Sequence, residues 1–137
     1  MASAIHVSLN VGNLEKSIVF YRGLFGEPAK IESDYAKFVG EDPPVHLALQ
    51  PGPTGRSSGP LSHLGIRVGS PEEVQIWRER LRDRGITAGA ERREECCYAL
   101  QDKFWLTDPD GNRWEIYAVL EDLEVASCEG QTSCCAP

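Results

Sequence analysis

Apolar positions alternate with histidine and with small or polar residues in two stretches that superimpose at an offset of 57 positions. His6, Val7, Leu9 and Val11 fall on His63, Leu64, Ile66 and Val68. A period of two with unlike faces is the pattern of a β-strand. In the same register Glu15 falls on Glu72, Phe20 on Trp77 and Leu24 on Leu81, so a helix is predicted after each strand. The first helix has Asn13 as its N-cap and Gly26 as its stop. The second has Ser70 and Glu73 as a capping box, Pro71 at its first position, an apolar stripe of Val74, Trp77 and Leu81, and Gly85 as its end. Strand-like runs follow at about 29–39 and 45–50 in the first copy, with a turn at 41–44. In the second copy they lie at about 86–91, 104–107 and 113–119, with Asp108-Pro109-Asp110-Gly111-Asn112 as a strong turn signal.

These elements predict an α+β fold of two consecutive β-α-β-β-β modules, one over about 4–50 and the other over about 62–119. A Gly/Pro/Ser-rich linker over about 51–61 joins them into a single domain spanning 1–119. Residues 120–137 turn acidic, then small and cysteine-bearing, and are expected to form a flexible tail. A repeated half cannot bury its sheet alone, so the modules are expected to pack around a cleft. This plan admits closure within one chain or strand exchange in a homodimer.

Composition narrows the function classes. The chain has 137 residues, a net charge of -7, 41% hydrophobic and 26% charged residues, ordinary values for a globular domain. No apolar run approaches the ~18 residues of a membrane span. The acidic balance, with basic side chains interspersed, argues against nucleic acid as a partner. Lys16 is the first basic residue, so the N-terminus lacks the basic and apolar pattern of a secretory signal, and a reducing cytoplasmic setting is expected. The cysteines, Cys96, Cys97, Cys128, Cys134 and Cys135, are then better read as thiols than as a disulfide framework. Neighbouring thiols suit chelation of one soft ion.

On strand periodicity His6 faces opposite to Ile5, Val7 and Leu9, which should meet a helix, and His63 faces opposite to Leu64 and Ile66. Both imidazoles are therefore expected to point into the cleft. Glu115 alternates with Trp114 and Ile116 in the last strand, and a carboxylate in a strand interior calls for a cation beside it. Two histidines and one carboxylate make the facial triad that binds Fe(II) with positions left open. Taken singly, each histidine is better explained as a hydrogen-bonded strand residue and Glu115 as an exposed one, and the symmetric placement of the histidines is what favours the metal. His46 competes, since it lies near the place in module one that a counterpart of Glu115 would occupy. If Leu47 or Leu49 is that counterpart, a fourth ligand is missing and the site stays open for chemistry.

The repeat, the opening histidines and the run from Thr107 to Glu115 resemble the vicinal oxygen chelate superfamily of glyoxalases, extradiol dioxygenases and bleomycin-resistance proteins, over about residues 4 to 119. The run from Glu95 to Trp105, with Asp34 to Phe38 before it, resembles the carbon-arsenic lyases within it, a group that includes cadmium-induced proteins. That resemblance implies Fe(II) held by His6, His63 and Glu115 in the cleft, and trivalent arsenic held by Cys96 and Cys97. It implies cleavage of the C–As bond of trivalent organoarsenicals such as methylarsenite, with dioxygen consumed and arsenite released. Tyr98, Gln101 and Lys103 follow closely and are candidates for a proton donor or for positioning dioxygen; Lys37 is a weaker one. Two other readings stand beside the enzyme: a non-catalytic thiol protein sequestering arsenic or cadmium, and a glyoxalase-like or thiol-transferring metalloenzyme with incidental cysteines.

Overall fold

The computed structural model describes residues 3–54, 60–89, 92–96 and 99–122. The chain divides into two compact units, Met1–Gly59 with Asp108–Gly111, and Pro60–Thr107 with Asn112–Pro137. Among the described residues no helix is long and apolar enough to cross a membrane.

The first unit contains β1 (Ile5–Val11), α1 (Leu14–Phe25), β2 (Lys30–Glu32), β3 (Tyr35–Glu41) and β4 (Pro44–Pro51). Its sheet has the order β1-β4-β3-β2, with β1 parallel to β4 and the other pairs antiparallel. Helix α1 starts where the Asn13 side chain accepts from the Lys16 N–H at 2.9 Å, and it ends at Gly26, whose φ of 81° suits glycine. It packs on β3 and β4, burying Phe20, Tyr21 and Leu24 with Phe38, Leu47 and Leu49. The Tyr21 hydroxyl, fully enclosed, donates to Asp108 Oδ2 at 2.5 Å. Asp108 Oδ1 accepts from the Asp110 N–H, and Asp110 Oδ1 accepts from the Gly12 N–H, each at 2.9 Å. Tyr21→Phe keeps the ring and removes a buried bond to a carboxylate. We expect it to cost about 1.5–3 kcal/mol in urea unfolding, and an unchanged midpoint would show that the bond adds nothing.

The second unit repeats the plan with β5 (Leu64–Arg67), α2 (Pro71–Asp83), β6 (Arg92–Cys96), β7 (Ala99–Thr107) and β8 (Arg113–Asp122) in the order β5-β8-β7-β6. Ser70 caps α2 by accepting from the Glu73 N–H at 3.2 Å, while the Glu73 carboxylate reaches back to the Gly69 N–H at 2.8 Å. Helix α2 packs on β8 and β7 over a core that includes Val74, Leu81, Phe104, Trp114 and Ile116.

Four boundaries and one burial differ from the sequence expectation. The run at 29–39 is two strands, because Ser33 and Asp34 form a tight turn between β2 and β3. Residues 86–89 are irregular, although the Gly89 N–H donates to the Trp105 carbonyl at 2.9 Å, and the strand itself begins at Arg92, opposite Lys103 of β7. Strand β7 begins at Ala99 instead of 104, since Gln101, Asp102 and Lys103 are buried polar residues that break the apolar signal. Strand β8 runs to Asp122, past the expected start of the tail, because an irregularity at Leu100/Gln101 lets Glu121 and Asp122 pair with Leu100 and Ala99. Ile5 is 70% exposed instead of covered by a helix, as β1 is an edge strand and α1 lies over β3 and β4. The rest of the expected tail, 123–137, lies outside the described residues.

Candidate functional site

Strand alternation puts Trp114, Ile116 and Ala118 at core positions of β8 and leaves Glu115 and Tyr117 on the other face. Opposite them stand Gly65 on parallel β5 (paired with Glu115) and, on antiparallel β7, Trp105 (paired with Glu115) and Lys103 (paired with Tyr117). His63 directly precedes β5, and its Nε2 lies 3.7 Å from Glu115 Oε1. The other ring nitrogen, Nδ1, is 2.9 Å from Ser62 Oγ. With Nδ1–H donating to that hydroxyl, Nε2 presents its lone pair on the carboxylate side, the arrangement a metal-ligating histidine needs. The imidazole also meets the Trp105 indole edge to face, with centroids 5.1 Å apart.

The second carboxylate oxygen, Glu115 Oε2, accepts from Lys103 Nζ at 2.9 Å. Lys103 is fully buried, and its ammonium stands 5.5 Å from the Trp105 ring centre and 5.9 Å from that of Tyr117. A buried ammonium is tolerable only with such compensation, here one carboxylate and two negative ring faces. Burial and the negative charge of Glu115 push the Tyr117 phenol above its usual range, against a smaller opposing effect of Arg67. The cation that a buried Glu115 requires is thus supplied by the chain itself. Burial of the carboxylate alone is no argument for a metal; the argument rests on the imidazole beside its other oxygen.

Gly65 is needed for this packing. A Cβ there would stand 2.9 Å from Glu115 Cγ and 3.4 Å from Oε1, with the carboxylate already held by Lys103. We expect Gly65→Ala to cost about 1–3 kcal/mol by overpacking, read by urea denaturation, and a neutral result would mean that Glu115 lies elsewhere. A glycine inside a strand is itself a sequence signal of such close approach.

The first unit has the same register with different residues. Ser8 pairs with Ala48 where Gly65 pairs with Glu115, so the counterpart of Glu115 is Ala48, between the two leucines considered above. His46 stands opposite His6, two residues earlier in β4. No fourth ligand occupies the corresponding place. His6 is exposed, and the alternate positions after it carry a polar ladder in which Ser8 Oγ donates to Gln50 Oε1 and Gln50 Nε2 donates to Asn10 Oδ1, each at 3.0 Å. Lys37 pairs with Ala48, the position that Trp105 takes in the second unit.

Among the described residues no group of three His, Cys, Asp or Glu side chains stands together as a metal cluster. His63 and Glu115 do meet, and one imidazole nitrogen with one carboxylate oxygen is a donor pair suited to a borderline divalent ion such as Fe(II).

Comparison with known proteins decides the family. The profile of the Glyoxalase/Bleomycin resistance protein/Dioxygenase superfamily matches residues 3–116. The chain belongs to this superfamily. A relative from Bacillus sp. (strain MD1) named "Trivalent organoarsenical cleaving enzyme" is 47% identical over 133 residues, covering 94% of this chain and 81% of the relative. The "Cadmium-induced protein CadI" of Mycobacterium tuberculosis (strain ATCC 25618 / H37Rv) is 45% identical over 123 residues, covering 89% and 80%. A crystal structure of a glyoxalase/bleomycin resistance protein/dioxygenase from Alicyclobacillus acidocaldarius superimposes with a TM-score of 0.71 at 18% identity, covering 87% of this chain and 92% of that one, which establishes the shared fold.

In this superfamily member the remaining candidates are distributed as follows. Gln101 is buried on β7, two residues before Lys103, and neither its Oε1 nor Trp105 Nε1 has a hydrogen-bond partner among the described residues. Cys96 is the last residue of β6 and pairs with Ala99, so it closes a strand in the interval between the runs expected at 86–91 and 104–107. Arg92 and Glu94 pair with Lys103 and Gln101 farther along the same strand. Cys97, Tyr98, Cys128, Cys134 and Cys135 lie outside the described residues.

Proposed function

We propose that the chain is an Fe(II)-dependent enzyme that cleaves the C–As bond of trivalent organoarsenicals such as methylarsenite, consuming dioxygen and releasing arsenite in the cytoplasm. The observation that carries this reading is the His63–Glu115 donor pair in a chain 47% identical to a trivalent organoarsenical cleaving enzyme. His6, His63 and Glu115 would hold the iron, which supplies a redox-active centre with positions open to dioxygen and substrate. Alanine at position 48 is in keeping with a three-ligand site, because the register offers no fourth donor there.

The protein's own contribution is positioning. Ser62 fixes the His63 ring, and Gly65 makes the room in which the Glu115 side chain lies. Cys96 and Cys97 supply soft thiolates for trivalent arsenic, a thiophilic centre, and tether it through two bonds so that the organic group is delivered in a set orientation. Tyr98 is the side chain offered for donating a proton to the departing group, and Gln101, through its amide, for positioning dioxygen. The test is anaerobic reconstitution with Fe(II), followed by oxygen uptake and arsenite release on adding methylarsenite, with a catechol in parallel. Uptake with methylarsenite alone is the expected result. Arsenical binding without uptake, with or without iron, would instead establish a sequestering protein. Uptake with the catechol alone would make the cysteines incidental.

A further inference from the structure

The two oxygens of Glu115 have unlike surroundings: Oε2 is 2.9 Å from the Lys103 ammonium, and Oε1 is 3.7 Å from His63 Nε2. Lys103 has no exposed surface, and its Nζ sits between carboxylate and ring faces, so it meets Glu115 and not a bound substrate. The carboxylate is confined from the other side as well, since the space beside its Cγ exists only because residue 65 has no Cβ. Rotation about the terminal bond would exchange the oxygens but would return one of them to the ammonium. We propose that Lys103 is a positioning residue that reserves one oxygen of Glu115 and presents the other alone to the metal. Glu115 then ligates through a single oxygen. A carboxylate using both would occupy an additional coordination position, one that dioxygen or the arsenical needs. This inference rests on the iron reading of the site and adds to it the reason why a carboxylate with two free oxygens does not close it.

Infrared spectroscopy of the carboxylate stretches in the Fe(II)-loaded protein, prepared without oxygen, tests the proposal independently of turnover. The Glu115 bands are assigned by their loss in Glu115→Gln. One-oxygen ligation widens the separation between the antisymmetric and symmetric stretches relative to the ionic carboxylate of the metal-free protein, and two-oxygen ligation narrows it. The expected result is a wide separation in the wild type that falls below the metal-free value in Lys103→Met and stays wide in Lys103→Arg. Should Lys103→Met not fold, Lys103→Gln, whose amide is one atom short of the ammonium's reach, carries the same comparison. A narrow separation in the wild type overturns the proposal, and so does a wide one in the methionine or glutamine variant at full iron content. Failure of the wild type to load iron, or iron loading that leaves the Glu115 bands unmoved, refutes the iron reading of Glu115 and with it this role for Lys103.

Discussion

Glu115→Gln is expected to lose both iron and methylarsenite cleavage. The amide keeps the shape of the side chain and still accepts from Lys103, but it offers the metal a neutral oxygen in place of an anionic one. Removing a ligand should exceed the about 10- to 100-fold loss of metal affinity that follows loss of an outer-shell partner. The substitution also strips the fully buried Lys103 of its counter-charge, and breaking a buried ion pair costs about 3–5 kcal/mol when one partner goes altogether. Part of any loss of iron would therefore come from a weakened fold. The double variant Lys103→Met, Glu115→Gln removes the buried ammonium along with the carboxylate charge that faces it. It should regain most of the stability and none of the iron. His46→Ala, which alters the residue two places from the counterpart of Glu115, should keep the wild-type iron stoichiometry. Iron per chain and the urea midpoint on these variants decide the matter: iron retained in Glu115→Gln, or lost in His46→Ala, would refute the ligand set.

The repeat made most of this fold legible. An offset of 57 positions aligns β1 with β5 and α1 with α2, and the caps at Asn13 and Ser70 form as their sequences dictate. Such features are local, because a cap or an alternating strand is decided within a few residues. What escaped the sequence is what depends on a partner distant in the chain. Lys103 carries a charge that favours the surface and is buried instead, because it finds Glu115 twelve residues later, and Gln101 and Asp102 are buried beside it. The edge position of β1 leaves Ile5 exposed although its pattern matches that of a covered strand.

The site was legible to a similar depth. His63 and Glu115 were identified by strand position and residue type, and they do meet. The identity of the cation beside the carboxylate was not, because an ammonium and a divalent metal answer the same electrostatic requirement and only the packing distinguishes them. The choice between His46 and its neighbours was a question of register, which period-two alternation leaves open by two residues. Pairing of β1 with β4 settles it on Ala48.

Replacing both Cys96 and Cys97 with serine is expected to abolish methylarsenite cleavage while iron still loads. Cys96 ends β6 opposite Ala99, and what the ladder requires of it is backbone, which serine provides equally well. The cost in stability should therefore fall well below the about 2–5 kcal/mol of a core truncation. The thiolates are a different matter for the substrate, since a hydroxyl is a hard donor with little affinity for trivalent arsenic. Without the tether the arsenical is no longer held in one orientation, and misplacement by a single ångström is enough to lower turnover about 100-fold. Loss of binding should add to that. Iron content, arsenical binding and oxygen uptake measured on one preparation separate the readings. Full iron with neither binding nor uptake supports the two cysteines as the substrate clamp. Full iron with undiminished cleavage removes them from the mechanism. A wild type that binds arsenic on these thiols yet never consumes oxygen would make the clamp the whole function and leave His63 and Glu115 as a structural pair.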